Sequence, residues 1–140
     1  IKYLNNFKEN FQKIARKSLI NYDMKKNIEI DAEIEFNEIN ARFITFLDKL
    51  GPHGPENVTP KFITRNVKIF GQPKLIGNKK HIKMKLKKNE QIFDSIGFNF
   101  GDKYEQLIIK NQINIAYVIE KNFWNGNTTI QLNLKDIKFN

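Results

Sequence analysis

Between residues 61 and 139, apolar side chains recur at every second position in five separate segments. This period is typical of strands that bury one face and expose the other. The stretch GDKYEQLIIK, between the third and fourth segments, is long enough for about two to three helical turns. This order of elements predicts an α+β protein with a five-stranded OB-fold barrel over residues 61–140. The predicted strands are 61–70, 79–88, 90–100, 113–121 and 128–139.

The residues before this region are organised differently. Apolar residues spaced near 3.6 predict a helix over residues 2–19, whereas strict alternation predicts a strand over 28–36. Asn37 is a suitable N-cap for a second helix, which should end before the stiff linker GPHGPENVTP, residues 51–60. Because a lone strand cannot form a sheet, the predicted strand must pair with the following domain, another copy or an upstream sheet.

The excess of positive over negative charge is confined to one part of the chain. Residues 1–60 carry nine Lys/Arg and nine Asp/Glu, whereas residues 61–140 carry fifteen Lys/Arg and six Asp/Glu. The net charge of +9 therefore belongs entirely to the region of the predicted barrel. A localised basic surface suggests a polyanionic partner, nucleic acid first and an anionic membrane second.

The stretch KKHIKMKLKK, residues 79–88, contains six lysines and no acid. Its apolar residues should face the core, so its lysines should form a row on the outer face of the second strand. Such a row is either a solvated strand face that resists aggregation or a surface for phosphates. Lysine suits phosphates, and a single arginine in this region favours sequence-independent binding. The candidate phosphate contacts are Lys79, Lys80, His81, Lys83, Lys85, Lys87 and Arg65.

Three aromatic residues are candidates for base stacking. Phe123 and Trp124 lie beside Asn125-Gly126, a strong hairpin-turn signal between the last two strands. Phe93 would face the ligand if Ile96 and Phe98 face the core. All three could instead be buried, which is the commoner fate of aromatic side chains.

The inward-facing residues of the strands define an expected core. If the second strand turns its lysines outward, closure of the barrel should bury one face of every strand. The predicted core residues are Ile82, Met84, Leu86, Ile96, Phe98, Ile115, Tyr117, Ile119, Ile130, Leu132 and Leu134.

No catalytic or metal-binding motif emerges from the sequence. The chain has no cysteine, which excludes disulfides and thiolate metal sites. Glu29, Asp31, Glu33 and Glu35 alternate along one strand and would stand roughly 6–7 Å apart, so they should form a solvated face. His53 and His81 have no partners at ligand spacing. We also expect no membrane span and no secretory leader, which fits a cytoplasmic protein.

Several motifs together resemble a known family. LGPHGPEN followed by PKFITRNV, then HIKMKL, IGFNFGD and IAYVIEKNFWNGNTTIQLNLKDIKF, is similar to the C-terminal region of the RecJ family of single-strand-specific 5′→3′ DNA exonucleases. The likeness covers most of residues 28–140, although Glu56 stands where the family more often has glycine. It implies that residues 1–50 are the helix–strand–helix tail of a DHH-associated domain, followed by the linker and the OB-fold domain.

The resemblance also implies a function. The family's metal-binding motifs lie upstream and have no counterpart here, so the Mn or Mg of the full-length enzyme would be bound elsewhere and this segment would need no cofactor. Its expected role is to hold single-stranded DNA during DNA repair and recombination. The alternative is a docking or spacer domain whose basic face meets an acidic partner, such as the tail of a single-strand-binding protein. Exposed aromatic residues would favour DNA.

The absence of a catalytic motif leads to a first prediction. The purified 140-residue chain should not degrade single-stranded DNA with any divalent metal, because two-metal hydrolysis needs convergent carboxylate and histidine ligands. The measurement is cleavage of a labelled oligonucleotide in manganese. Cleavage that is lost on mutation of Asp31 or Glu33 would show that the acidic strand is a catalytic site.

Overall fold

The computed structural model describes residues 27–140, and the helix expected over residues 2–19 lies outside this range. None of the helices in the described range is long and apolar enough to cross a membrane. Two short 3-10 helices cover Phe36–Glu38 and Gly101–Lys103. The other elements are β1 (Ala32–Glu33), α1 (Ala41–Leu50), β2 (Phe62–Ile76), β3 (His81–Lys88), β4 (Gln91–Gly97), α2 (Tyr104–Ile109), β5 (Gln112–Trp124) and β6 (Asn127–Phe139).

Strands β2 to β6 form a closed barrel. Their order is β2-β3-β4-β6-β5, and β5 also pairs with β2, which closes the sheet on itself. The β4–β6 pairing is parallel, whereas the other pairings within the barrel are antiparallel. Helix α2 lies between the third and fourth barrel strands. This topology confirms the OB fold predicted from the sequence.

Strand β2 holds the barrel together along its whole length. Its first half pairs with β5 and its second half with β3, and the pairing shifts between Thr64 and Val67 and again between Phe70 and Lys74. Such bulges bend a strand and increase its twist. The strand continues to Ile76, past its predicted end at residue 70, because the second bulge accommodates residues that usually interrupt a strand.

The core is built from one face of each strand. Most of the predicted core is buried, and Ile119 and Ile130 are partly buried against it. The second strand turns its apolar residues inward and its lysines outward, as predicted. The buried members of the predicted core are Ile82, Met84, Leu86, Ile115, Tyr117, Leu132 and Leu134.

The inward face of β4 is the opposite of the one predicted. Ser95 is fully buried and Gly97 is buried, whereas Ile96 is only partly buried and Phe98 is 47% exposed. The neighbouring strands explain this choice, because Ser95 pairs with buried Met84 of β3 and its hydroxyl donates a hydrogen bond to the Met84 carbonyl at 2.9 Å. The predicted burial of Ile96 and Phe98 is therefore wrong.

The predicted strand 28–36 is reduced to two residues. Ala32 and Glu33 pair in parallel with Phe62 and Ile63, so the partner of this segment is β2 of the barrel. The chain then turns into the first 3-10 helix, which sends the fully buried Phe36 into the barrel core. The division into a tail ending at residue 50 and a barrel beginning at 61 stays a prediction.

The second helix begins later than expected. Asn40, not Asn37, is its N-cap, and the Asn40 side chain accepts a hydrogen bond from the backbone N–H of Phe43 at 3.0 Å. Phe43 packs against Phe62 with ring centroids 5.6 Å apart, so α1 lies against the barrel core. The helix ends at Leu50, at the start of the linker, as predicted.

A chain of buried hydrogen bonds ties the segment before α1 to the barrel. The Thr64 hydroxyl donates to the carbonyl of Ile34 at 2.7 Å and lies 2.8 Å from the hydroxyl of Tyr117. Because Thr64 has a single hydroxyl proton, Tyr117 must be the donor in the second bond. Burial raises the pKa of Tyr117 well above its usual value, so this donor stays protonated.

This chain yields a stability prediction. Tyr117→Phe removes one bond and should lower the free energy of unfolding by about 1 kcal/mol. Thr64→Val should lower it by more than about 2 kcal/mol, because the Tyr117 hydroxyl and the Ile34 carbonyl both lose a partner while buried. Urea unfolding of both variants measures the difference. Equal losses would show that Thr64 does not connect the other two groups.

Candidate nucleic-acid interface

The outer face of β2 and β3 carries a group of basic side chains. Lys68 of β2 pairs with Lys87 of β3, and Lys74 pairs with Lys83, so like charges face each other across the two strands. We call Lys68, Lys74, Lys83, Lys85 and Lys87 the basic face. The sequence pointed to the three lysines of β3 but missed the two of β2, because strand pairing brings them together.

Two acids border the basic face. Asp94 lies 3.8 Å from the Lys85 ammonium group, and Glu90 lies 3.0 Å from that of Lys87. Both are solvent-accessible ion pairs, a kind that contributes about 0–1 kcal/mol. A phosphate can therefore displace either acid at little cost. Within residues 27–140, Lys74 and Lys83 lie near no acid that forms a salt bridge with them.

Arg65 and Lys88 have structural partners away from the basic face. The Arg65 guanidinium lies 3.1 Å from the Glu33 carboxylate on β1. Lys88 is largely buried, and its ammonium group contacts the Glu35 carboxylate at 2.7 Å and donates to the Arg65 carbonyl at 2.6 Å. These contacts hold the β1 segment, which we define as β1 and the residues up to Glu35, on the barrel.

Within the described residues, the other two of the four alternating acids, Asp31 and Glu29, are not part of a metal site either. Asp31 accepts a hydrogen bond from the backbone N–H of Lys61 at 2.8 Å, and Glu29 is exposed. Among residues 27–140, no three His, Asp or Glu side chains are grouped so that they could hold a metal ion.

The turn between β2 and β3 places further basic groups at one end of the basic face. Lys79 and Lys80 are exposed in this turn, which is anchored by a 3.0 Å hydrogen bond from the Gly101 N–H to the Lys80 carbonyl. His81 follows at the start of β3, where its Nδ1 accepts from the Asn99 N–H at 3.0 Å. Its ring packs edge-on against the exposed Phe98, with centroids 5.3 Å apart. The His81 ring thus links the start of β3 to the residues that follow β4.

The β5–β6 hairpin exposes two large aromatic side chains. Phe123 is 73% exposed and Trp124 is 75% exposed, so neither caps the barrel. Both belong to the end of β5, and the turn itself is confined to Asn125 and Gly126, which have the positive φ angles that the Asn-Gly signal predicted.

Phe93 does not face a ligand. Its side chain packs against the core, and its ring meets that of Phe36 edge-on with centroids 5.1 Å apart. The predicted orientation of Phe93 is wrong because β4 turns its other face outward. The structure offers Phe70 instead, which is 48% exposed and pairs with Lys85 within the basic face.

The topology of the barrel identifies the class of domain, and the sequence identifies the family. A closed five-stranded barrel with this strand order and a helix between its third and fourth strands is an OB-fold domain. The sequence profile of the RecJ OB domain family matches residues 30–136. The chain belongs to this family.

Two RecJ proteins and one solved RecJ structure are similar to this chain. The single-stranded-DNA-specific exonuclease RecJ of Bacillus subtilis is 28% identical over 88% of this chain, and that of Haemophilus influenzae is 34% identical over 73%. The chain spans only 16% and 18% of the lengths of these relatives. The crystal structure of Thermus thermophilus RecJ in complex with Mn²⁺ shares the fold over 79% of this chain, with a TM-score of 0.60 and 17% identity.

The anchor of the β2–β3 turn gives a third prediction. A Cβ at residue 101 would overlap the Lys79 carbonyl oxygen, so Gly101→Ala must displace the turn that carries Lys79 and Lys80. We expect a loss of about 1–3 kcal/mol in the free energy of unfolding, as for other overpacked sites. The matched control is Gly54→Ala, since a Cβ there meets no atom within 4 Å. Equal stability of the two variants in thermal or urea unfolding would contradict this packing.

Proposed function

We propose that this chain is the accessory OB domain of a RecJ-type exonuclease and binds single-stranded DNA without regard to sequence. The observation that carries the proposal is the basic face, in which two lysine pairs stand directly opposite each other across β2 and β3. Like charges placed opposite each other destabilise a sheet. An arriving chain of phosphates removes this repulsion, and neutralising phosphates supplies most of the affinity of non-specific binding.

The residue types favour sequence-independent contact. Lysine is a compact point charge that suits phosphates, whereas the planar fork of arginine is the usual reader of guanine. The arginine nearest the basic face in sequence, Arg65, is already paired with Glu33. The OB fold commonly binds nucleic acid with its second and third strands and with the loops that join strands 1 and 2 and strands 4 and 5. Here these are β3, β4, the β2–β3 turn and the β5–β6 turn.

The exposed aromatic residues favour DNA over an acidic protein partner. A lysine row alone would serve either ligand. Phe123 and Trp124 are each about three-quarters exposed beside the β5–β6 turn, and Phe70 is half exposed within the basic face. Exposed flat apolar rings supply the stacking that unpaired bases require. This combination supports single-stranded DNA over an acidic peptide.

In the full-length protein the domain would raise the affinity for single-stranded DNA and guide the strand. The relatives named single-stranded-DNA-specific exonucleases are roughly four to five and a half times as long as this chain, since the aligned stretches of 123 and 105 residues make up 16% and 18% of their lengths. Their catalytic activity, any metal ions it requires and a role in cytoplasmic DNA repair and recombination are therefore part of the proposal for the whole protein. The domain would hold the strand while its 5′ end reaches a distant catalytic centre.

Salt dependence tests the basic face. Titration of the 140-residue chain with fluorescent oligo-dT should give a log–log salt slope of about −0.7 for each phosphate neutralised. Changing Lys83, Lys85 and Lys87 together to glutamine should weaken binding to all sequences alike and reduce the slope by about 2.

The matched control has the same loss of charge elsewhere. Lys49, Lys110 and Lys135 are exposed and none lies on β2, β3 or β4. Changing these three to glutamine should leave most of the slope in place. If both triple variants lose affinity equally, binding follows net charge and not this face. If the wild-type chain binds no oligo-dT but binds an acidic peptide, the docking alternative replaces the proposal.

A further inference from the structure

The second bulge of β2 interrupts the basic face at its centre. Phe70 pairs with Lys85 and Lys74 pairs with Lys83, so three residues of β2 stand opposite Met84 alone. Gly71 adopts a φ of +79°, which side chains rarely tolerate, and a Cβ there would meet no atom within 4 Å. The backbone therefore turns away from β3 at this point, and the space beside Gly71 is open.

The bulge leaves a groove in the outer surface. It has a volume of about 400 Å³, within the range of roughly 300–1,000 Å³ that is usual for small-molecule sites. Phe70 and Gly71 line it from β2, and Lys83 and Lys85 line it from β3. Lys74 also lines it, so the groove combines one aromatic ring with three lysines.

The charges around the groove leave it open to an anion. Asp94 is the acid at its edge, and it lies 3.8 Å from Lys85, at the long limit of an ion pair. Lys74 and Lys83 make no salt bridge with any residue in the range 27–140. Phe70 contributes nothing to the fully buried core, since 48% of its surface is exposed. The groove thus places a flat apolar ring beside ammonium groups, an arrangement that fits a ligand with both a flat face and a negative charge.

We propose that this groove is a nucleotide subsite, in which one unpaired base stacks on Phe70 and its flanking phosphates contact Lys74, Lys83 and Lys85. The subsite rests on the proposed function and adds a determinant of selectivity for single strands. Lysines attract the phosphates of single and double strands alike. A base within a duplex is already stacked on both faces, so it cannot stack on Phe70 without leaving the helix.

The test compares Phe70→Ala with a matched control, Phe46→Ala. Phe46 is 55% exposed on α1, outside the basic face. Phe70→Ala should weaken binding of oligo-dT roughly 5- to 150-fold, the equivalent of one lost base–aromatic stack, while Phe70→Tyr should retain binding. The salt slope, the affinity for a duplex of equal length and the affinity for an abasic oligonucleotide should not change, because the phosphate contacts remain.

The possible outcomes separate this subsite from the function on which it rests. If the wild-type chain shows no salt-dependent binding of oligo-dT, the proposed function itself fails. If the wild-type chain binds but Phe70→Ala binds like Phe46→Ala, the subsite alone is refuted. If Phe70→Ala weakens duplex and abasic binding as much as oligo-dT binding, Phe70 supports the fold and not a base. Circular dichroism and melting of each variant identify any loss of folding.

Discussion

The structure depends on the sharing of β2 between two neighbours. The first half of this strand pairs with β5 and closes the barrel, while the second half pairs with β3 and carries the basic face. A straight strand cannot do both, so the pairing shifts at two bulges, near Thr64 and near Phe70. The groove beside Phe70 opens at the second of these bulges, within the half of β2 that pairs with β3.

Part of the barrel core comes from a segment that precedes the five strands. Phe36 enters the core from the segment before α1, where its ring meets those of Phe93 and Tyr117 edge-on. The hydrogen-bonded chain from Tyr117 through Thr64 to Ile34 fixes the position at which this segment docks. Residues of this segment therefore make both apolar contacts and buried hydrogen bonds with the barrel.

The basic face gains little stability from its own electrostatics. Lysines that face each other across β2 and β3 repel, and the nearby acids, Glu90 and Asp94, form only exposed ion pairs. By contrast, Lys88 and Arg65 have close acidic partners that anchor the β1 segment. The chain therefore uses its acids where they hold the fold together and leaves the basic face weakly compensated. Such a division is expected for a surface whose counter-ions arrive with a ligand.

The sequence by itself determined the barrel and the direction of its second strand. In β3, Ile82, Met84 and Leu86 alternate with lysines, so only one face can be buried, and the structure agrees. The Asn125-Gly126 turn was equally clear, because few other residues adopt its backbone angles. The strand pattern and the position of α2 were sufficient to predict the OB fold.

Only the tertiary structure decided the details of the surface. In β4 both faces carry large apolar residues, so the alternation was ambiguous, and the neighbouring strands together with Phe36 determined that Phe93 turns inward and Phe98 outward. Strand pairing added Lys68 and Lys74 to the basic face, and a bulge exposed Phe70 beside them. The local sequence indicates which face of a strand is apolar. Contacts between residues far apart in the chain determine which side chains share a surface.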